Sequence, residues 1–297
     1  MPASSTRLYV LIARKAPRAV VLRRGPSKQV ACIGWELKDD SFEVGQWFKG
    51  RIYERRCDLS PSGKLLAYFA ANWKPGPMSW TAVSRTPYLK AVMMWPKGDA
   101  WGGGGLFDGE STLALNHHAL QRSLAEGQQL LRGFRVEPLG PRPGMGEDDP
   151  IDSARRARDG WRLVQEASWQ KDDFDGPVSF PVVRGSERIW ARTQPRAAKK
   201  KLARAVVELE EILHGIGERD GSWYMTEYRL VNHEDEVTIS LGRIDWADWD
   251  HDGDLLFART GKLYRLDAAH ARKLDTAKAR ELVDLGKLRF EAKRAPY

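Results

Sequence analysis

The chain has 297 residues, of which 42% are hydrophobic and 30% charged, a composition typical of a folded globular protein. Its net charge of +8 favours an acidic partner but does not determine the fold. Every apolar run is far shorter than the roughly 20 residues that span a bilayer, so a soluble protein without membrane contact is expected.

Short apolar or alternating runs separated by turn residues follow one another along the chain. The first, Leu8 to Ala13, is too short for the apolar region of a signal peptide, so we expect a strand in a cytoplasmic protein. Further strands are predicted over 19–22, 29–37, 50–57, 64–70, 80–84, 88–95, 112–116, 134–138, 178–183, 188–192, 223–230, 236–241, 254–259 and 262–266. Many short strands with frequent turns favour a sandwich, barrel or propeller.

Three regions depart from the strand pattern. Residues 139–160 begin with Gly and Pro and then become charged, which indicates an exposed insertion or linker with one helical turn around 153–158. Residues 199–212 fit either a helix or a long strand. Residues 275–285 have a capping residue at the start and Gly286 as a stop, which predicts a helix.

Internal repetition favours the propeller among these architectures. Residues 57–66 align without a gap with residues 247–256, matching an Asp, a Gly and a Leu-Leu pair. Weaker copies at 106–115 and 183–190 place the turn glycines at Gly63, Gly109, Gly185 and Gly253. The first spacing suits a blade of about 40–50 residues. The 12 tryptophans spread along the chain fit one aromatic packing residue in each repeat.

The segments SPSGKLLAYF and DGDLLFARTGKLYRLD resemble the blades of TolB-like and WD40-like β-propellers. The longer stretch GQWFKGRIYERRCDLSPSGKLLAYFA also resembles a group of bacterial proteins of unknown function. The resemblance implies one all-β, β-propeller-like domain over 1–297, with about five or six irregular blades. A few short helices are expected in insertions and near the C-terminus.

Propeller faces collect loops from every blade, which implies a binding or scaffold module that mediates protein–protein interaction. Two alternatives stay open: a module that binds nucleic acid or another polyanion, and a hydrolase or lyase with its site at the propeller channel. An enzyme is the less favoured class, because no nucleophile motif or acid–base pair stands out. Neither the partner nor the oligomeric state follows from the sequence.

A basic run supports the polyanion alternative. It contains Arg196, Lys199, Lys200, Lys201 and Arg204, with no acidic residue between them. Clustered Lys and Arg neutralise phosphate groups, and the overall positive charge points the same way. The competing interpretation is a solvated face, because glutamates follow closely at 208, 210 and 211.

A second candidate site is the sequence D-x-D-x-D-G, formed by Asp248, Asp250, Asp252 and Gly253. This pattern opens an EF-hand-like loop, in which alternate carboxylates converge on calcium. However, Arg259 stands where a bidentate Glu is needed, and the same aspartates occupy the repeat turn. An acidic hairpin turn is therefore the competing interpretation, and calcium is the only cofactor that the sequence offers.

The glycine run and the two cysteines each allow a smaller prediction. The glycine run 102–105 lacks the following Lys-Ser or Lys-Thr of a phosphate-binding loop, so we expect a flexible loop between repeats. Cys32 and Cys57 are too few for a disulfide scaffold and are expected to be buried thiols in a reducing compartment.

Overall fold

The computed structural model describes residues 6–25, 28–167, 187–195, 207–216 and 223–297. These residues form 21 strands and two short α-helices, so the fold is all-β, as the alternating pattern predicts. The strands group into five sheets, each built from strands that are consecutive in the chain. None of the described helices is long and apolar enough to cross a membrane.

The chain divides into two compact units. Unit 1 comprises residues 1–156 and 284–297, and unit 2 comprises residues 157–283. Unit 1 therefore contains segments from both ends of the sequence. That the two units form one domain over 1–297 stays a prediction.

Sheet A, the first sheet of unit 1, is an antiparallel meander in chain order. Its strands are β1 Arg7–Ile12, β2 Arg18–Arg24, β3 Gln29–Glu36 and β4 Ser41–Lys49. The central strands β2 and β3 have nearly continuous apolar sequences and are largely buried. The edge strand β4 alternates between exposed and partly buried residues, as expected for a strand with one face in water.

Sheet B follows directly. Its strands are β5 Arg51–Ile52, β6 Asp58–Leu59, β7 Leu65–Ala71, β8 Ser79–Arg85 and β9 Ala91–Pro96. A 3₁₀ turn at Glu54–Arg56 separates β5 from β6, and both of these short strands pair with β7. Strand β7 contains the repeat sequence LLAYFAA and is buried along nearly its whole length.

Sheet C is the smallest sheet of unit 1. Its strands are β10 Gly105–Phe107, β11 Thr112–Leu115 and β12 Arg135–Pro138. Strands β10 and β11 are antiparallel, but β11 and β12 are parallel. A parallel pair needs a long connection, and here it is an irregular segment with a 3₁₀ turn at Ala119–Gln121.

Helix α1, Asp149–Arg158, follows sheet C. The sequence predicts an exposed insertion over 139–160, with a helical turn only around 153–158. The structure differs, because α1 begins four residues earlier and buries Ile151, Asp152, Arg155 and Arg156. The charged residues are buried because they pair with one another, which composition alone does not reveal.

Unit 2 contains two sheets. Sheet D has strands β13 Arg162–Gln165, β14 Arg188–Thr193, β15 Val207–Ile216, β16 Tyr224–Asn232 and β17 Val237–Gly242. Sheet E has strands β18 Trp246–Trp249, β19 Leu255–Arg259, β20 Lys262–Leu266 and β21 Arg280–Asp284. Helix α2, Ala268–Arg272, and a 3₁₀ turn at Thr276–Lys278 connect β20 to β21.

One helix prediction and one ambiguous stretch are resolved by strands in this part of the chain. The helix predicted over 275–285 is wrong, because Thr276–Lys278 forms a 3₁₀ turn and Arg280–Asp284 forms strand β21, the edge of sheet E beside β20. In the ambiguous stretch 199–212, the described part belongs to strand β15. In both places the tertiary pairing outweighs the local helix propensity.

Neighbouring sheets of a unit share a buried core. Val30 of sheet A and Leu66 of sheet B belong to one apolar cluster of unit 1. Sheets B and C share another, which contains Trp95 and Phe107, and in unit 2 the cluster around Trp249 joins sheets D and E. Consecutive sheets within each unit therefore pack face to face.

The thiols of Cys32 and Cys57 are buried and free, as predicted. Both lie in the cluster that sheets A and B share. Burial raises the pKa of each thiol well above its usual range. Both are therefore protonated, apolar packing groups at neutral pH.

The turns at Gly63 and Gly253 have the same backbone geometry, as their alignment predicts. The amide N–H of Gly63 donates to the carbonyl of Ser60 at 2.8 Å, and that of Gly253 donates to the carbonyl of Asp250 at 3.3 Å. Both glycines have positive φ, +73° and +83°. Gly109 lies outside the positive-φ region, so the copy at 106–115 makes a different turn. Residues 183–186 of the fourth copy lie outside the described residues.

Candidate binding surface

The aspartates predicted to bind calcium contact arginines of unit 2. Asp248 forms an ion pair with Arg192 of β14. Arg265 of β20 donates to Asp250 at 2.5 Å and to Asp254 at 2.8 Å, so a guanidinium lies between two carboxylates. Burial raises the pKa of Asp248 and Asp250, and the like charge of Asp254 adds to the effect on Asp250.

The carboxylate of Asp250 also organises the turn that follows it. One of its oxygens accepts the amide N–H groups of Asp252 and Asp254, both at 2.9 Å. The side chain of Asp252 is exposed. No group of three or more His, Cys, Asp or Glu side chains in the described part of the chain is arranged to hold a metal ion. Calcium binding at Asp248, Asp250 and Asp252 stays a prediction.

The basic run predicted to bind a polyanion lies outside the described residues. This applies to Arg196, Lys199, Lys200, Lys201 and Arg204. Polyanion binding therefore rests on the sequence alone.

The glycine run after Trp101 is a tightly bonded connection within unit 1. The amide N–H groups of Gly102, Gly103 and Gly104 donate to the carbonyls of Gly146 and Asn116 and the hydroxyl of Thr81. These donors are thus directed at protein acceptors instead of at a phosphate. The run connects sheet B to sheet C, but it is not the flexible loop that the sequence predicts, because these bonds fix it and with it the position of Trp101.

Four large apolar side chains of unit 1 are exposed on three neighbouring turns. Their exposed fractions are 48% for Trp73, 41% for Met78, 52% for Trp101 and 49% for Met145. We call these four residues the aromatic surface. Grouped apolar side chains of this size are uncommon on a monomer surface unless they meet a partner.

Hydrogen bonds tie the three turns together. Ser79, next to Met78, donates from its hydroxyl to the carbonyl of Asp99 at 2.5 Å and accepts the amide N–H of Lys97 at 2.9 Å. The amide N–H of Gly102 donates to the carbonyl of Gly146 at 2.6 Å, which joins the turn with Trp101 to the turn with Met145. The turns that carry the four side chains are therefore bonded to one another.

The buried side chain of Arg56 binds two of these turns. It is only 1% exposed, and its Nη1 donates to the carbonyls of Ala100 at 2.6 Å and Gly102 at 2.5 Å, on either side of Trp101. Its Nε binds the carboxylate of Asp148 in the turn that follows Met145. One buried guanidinium thus fixes both turns before any partner arrives, which reduces the entropy lost on binding.

The packing around Arg56 leaves little freedom. Its guanidinium stacks near the rings of Tyr53 at 4.6 Å and Phe69 at 5.1 Å. A side chain at Gly103 would overlap the ring of Phe69, so only glycine allows this close approach. The loop that presents Trp101 is therefore set by its contacts.

Trp73 has an unusual backbone conformation. Its φ is +56°, in the left-handed region that bulky residues rarely adopt. Its neighbour Met78 closes the turn, accepting the amide N–H of Trp73 at 3.2 Å. A strained and half-exposed tryptophan is a cost to the folded state, which favours a functional role for its ring.

The sequence predicts packing tryptophans, and it did not single out the exposed ones. Trp35, Trp95 and Trp249 are almost completely buried, as expected of packing residues. Trp73 and Trp101 stand instead beside the turn sequences KPGP and GGGG. Both lie outside every predicted strand, but so do the buried Trp161 and Trp249, so the strand pattern alone does not single out the exposed tryptophans.

Comparisons with known proteins add no family. No family model and no curated protein matches the chain. Among solved structures, the chain is similar to the uncharacterized protein lmo1340 from Listeria monocytogenes EGD-e, with 8% identity over 95% of this chain and 85% of that chain. The TM-score is 0.32, and a similarity of this size carries no argument about fold or function.

Proposed function

We propose that this protein is a protein-binding module and that the aromatic surface docks its partner. The observation that supports the proposal is the group Trp73, Met78, Trp101 and Met145, each more than two-fifths exposed on turns that are bonded to one another. Trp and Met are enriched at protein interfaces, and Trp is the commonest residue to dominate binding energy. Arg56 fixes the loop that carries Trp101, so little conformational entropy is lost when the ring binds a partner.

We further propose a five-bladed β-propeller as the scaffold. Five sheets of three to five strands follow one another along the chain, and each is a local meander or near-meander. Blades of about four strands in chain order characterise propellers. A crystal structure in which sheets A to E do not follow one another around a common axis would contradict the scaffold without affecting the aromatic surface.

The test is affinity capture from the native host with matched variants. Trp101→Ala removes one exposed ring and leaves the backbone bonds of its neighbours in place. Because a central aromatic contributes about 2 kcal/mol or more, binding is expected to fall about 30-fold. Any protein captured by the wild type is then titrated against both forms.

Val164→Ala serves as the control, since Val164 is 50% exposed but lies in unit 2. A partner retained by Val164→Ala and lost by Trp101→Ala supports the proposal. If every captured protein binds the two variants equally, the aromatic surface is not the docking site.

Polyanion binding is the second candidate, supported by the net charge of +8 and the basic run. Lys199, Lys200 and Lys201 changed together to Glu should abolish a salt-dependent gel shift with nucleic acid. The control is the same charge change at three exposed arginines, Arg132, Arg135 and Arg142. Equal shifts for the two triple variants would leave only a general charge effect.

Three other expectations remain predictions. They are the hydrolase or lyase alternative, calcium binding at the aspartate turn, and a cytoplasmic location. A rise in melting temperature with millimolar calcium, absent with magnesium, would support the calcium site.

A further inference from the structure

The last segment of the chain lies on unit 1 without forming a strand. We call residues 287–297 the strap. The amide of Gln46 in β4 donates to the carbonyl of Lys293 at 2.9 Å, and the Lys293 ammonium donates to the carbonyl of Val44 at 2.6 Å. Further along, the Tyr297 hydroxyl donates to the carbonyl of Lys90 at 2.8 Å. The strap thus follows a groove between the edge of sheet A and the turn at 85–90.

The floor of this groove is formed without the strap. The side-chain oxygen of Gln46 accepts the amide N–H groups of Leu89 and Lys90, both at 2.8 Å. Gly45 lies so close to Pro87 that any side chain at position 45 would overlap its carbonyl. Strand β4 and the turn are therefore joined directly, by contacts that do not involve the strap.

The strap is held by surface contacts. Phe290 is 36% exposed, with its ring 5.9 Å from the ring of Trp47 and 4.3 Å from the Lys49 ammonium. Tyr297 meets Tyr88 edge-on at 6.2 Å. Most other strap residues are exposed. A segment with few buried apolar contacts opens at low free-energy cost.

The charges of strap and groove do not match. The strap has four basic residues and one acidic residue: Lys287, Arg289, Lys293, Arg294 and Glu291. The groove presents three basic residues and one acidic residue: Lys49, Arg85, Lys90 and Glu43. Strap and groove are thus both net basic, so an acidic occupant complements the charge of the groove better than the strap does.

The strap also leaves a donor without an acceptor. The indole N–H of Trp47 is buried and finds no hydrogen-bond partner among the described residues. A buried donor without an acceptor costs about 1–3 kcal/mol. The seated strap supplies no acceptor for this donor, although its Phe290 ring lies against the Trp47 ring.

We infer that this groove is a docking site for an extended acidic segment of a partner protein, which carries two aromatic residues spaced like Phe290 and Tyr297 and displaces the strap. The strap shows that an extended segment with two aromatic residues fits the groove. The basic charge of the groove indicates that an acidic sequence fits it better. This surface is separate from the aromatic surface and goes beyond the function proposed above. While the strap is seated, the apparent affinity of a partner is reduced by the fraction of open molecules.

The experiment measures the anisotropy of a labelled peptide on the full chain. The peptide has the sequence of residues 285–297 with Lys287→Glu, Arg289→Glu and Arg294→Glu. The protein variant carries Phe290→Ala and Tyr297→Ala, which loosen the strap and leave the groove intact. We expect the peptide to bind this variant at least 10-fold more tightly than the wild type, and equally tightly to wild type and Val164→Ala, since Val164 is exposed but belongs to unit 2.

The chemistry of the groove is tested in the same assay. The unaltered strap peptide should bind at least 10-fold more weakly than its acidic form, and Lys49→Glu with Lys90→Glu should reverse this preference. The inference is overturned if the groove binds the acidic and the unaltered peptide with equal affinity, or if the acidic peptide binds the loosened variant and the wild type with equal affinity. It is also overturned if the wild type sediments as a dimer and the loosened variant as a monomer, because the occupant is then the strap of a second copy.

Folding of the loosened variant is checked by its melting temperature. If it does not fold, Tyr297→Phe replaces it, because this change removes only the bonds of the phenol oxygen to Arg85 and Lys90. The expected increase in peptide affinity is then smaller but has the same sign. An unchanged affinity in Tyr297→Phe contradicts the inference.

Discussion

At position 73, the backbone has the conformation of a glycine while the side chain is the largest of the twenty. The φ of +56° costs a non-glycine residue about 1–2 kcal/mol. The ring is 48% exposed and recovers only part of that cost by burial. We therefore expect Trp73→Gly to leave the melting temperature unchanged or to raise it slightly, while partner capture falls as it does for Trp101→Ala.

Differential scanning calorimetry checks that the melting temperature does not fall, and the capture assay checks that partner binding does. Met78→Ala, in the same turn but with ordinary φ, is the control and should lower binding without raising stability. A marked loss of stability in Trp73→Gly would show that the ring supports the fold, and would remove the strain argument for function.

His117 is a second residue whose environment determines its chemistry. Its Nδ1–H donates to the carbonyl of Gln121 at 2.8 Å, and its Nε2 accepts the hydroxyl of Thr81 at 2.7 Å. The Thr81 oxygen in turn accepts the amide N–H of Gly104 at 2.8 Å, in the loop that follows Trp101. Burial lowers the pKa of His117 to about 4, so the neutral ring is part of the fold at neutral pH.

This shift makes stability depend on pH. The folded pKa lies below the ordinary value of about 6.5, so the unfolded chain binds the proton first and stability falls as pH drops from 6.5 towards 4. Between pH 7 and pH 5, the free energy of unfolding should fall by about 2 kcal/mol. Urea titrations of wild type and His117→Gln check this, because the variant should lose most of the slope. An equal slope in both would place the titrating group elsewhere.

At the scale of elements, helix α1 is fixed to unit 1 by charge. Asp152 receives bonds from Arg55 at 2.7 Å, Arg155 at 2.7 Å and Arg156 at 3.0 Å. Burial acts to raise the pKa of Asp152, but the three guanidinium groups hold it well below its usual range. Arg155 also binds the carbonyl of Cys57, which ties α1 to the start of β6. One carboxylate thus compensates several buried cations.

Asp152→Asn should therefore be far more harmful than its small change in shape implies. It leaves three arginines near a neutral amide, and breaking a buried ion pair costs about 3–5 kcal/mol. Asp149→Asn, at an exposed position in the first turn of the same helix, is the control and should cost less than about 1 kcal/mol. Free energies of unfolding from urea titration decide, and equal losses would mean that the cluster does not hold α1.

The elements differ in how well the sequence predicts them. The apolar run 64–70 and the alternating run 262–266 become strands close to the predicted bounds, because an adjoining turn delimits each of them. The edge strand β21 was predicted as a helix, since Arg280–Asp284 acquires its conformation only by pairing with β20. The buried charges of α1 escaped prediction for a similar reason, because their partners are about 100 residues away in sequence.

At the scale of the whole molecule, the chain leaves unit 1 at 156 and returns to it at 284. The return is anchored by Arg23, which is 1% exposed and donates to the carbonyls of Leu285 and Gly286, both at 3.1 Å. Leu285 itself is 3% exposed. No local pattern in the sequence pairs an arginine in β2 with carbonyls 262 and 263 residues later, so only the folded structure shows this closure.

Two truncations separate this anchor from the strap. A chain that ends at Val283 loses the buried Leu285, worth about 1.5–3 kcal/mol, and leaves the guanidinium of Arg23 without two of its acceptors. We expect it to lose about 3–5 kcal/mol of unfolding free energy, most of it from unit 1. A chain that ends at Gly286 keeps the anchor and loses only the exposed strap, so it should lose less than about 1 kcal/mol. Calorimetry of the two truncations and the full chain gives the comparison. A large loss of unfolding free energy in the chain that ends at Gly286 would mean that the strap is a structural element. It would then be too firmly held for a partner to displace.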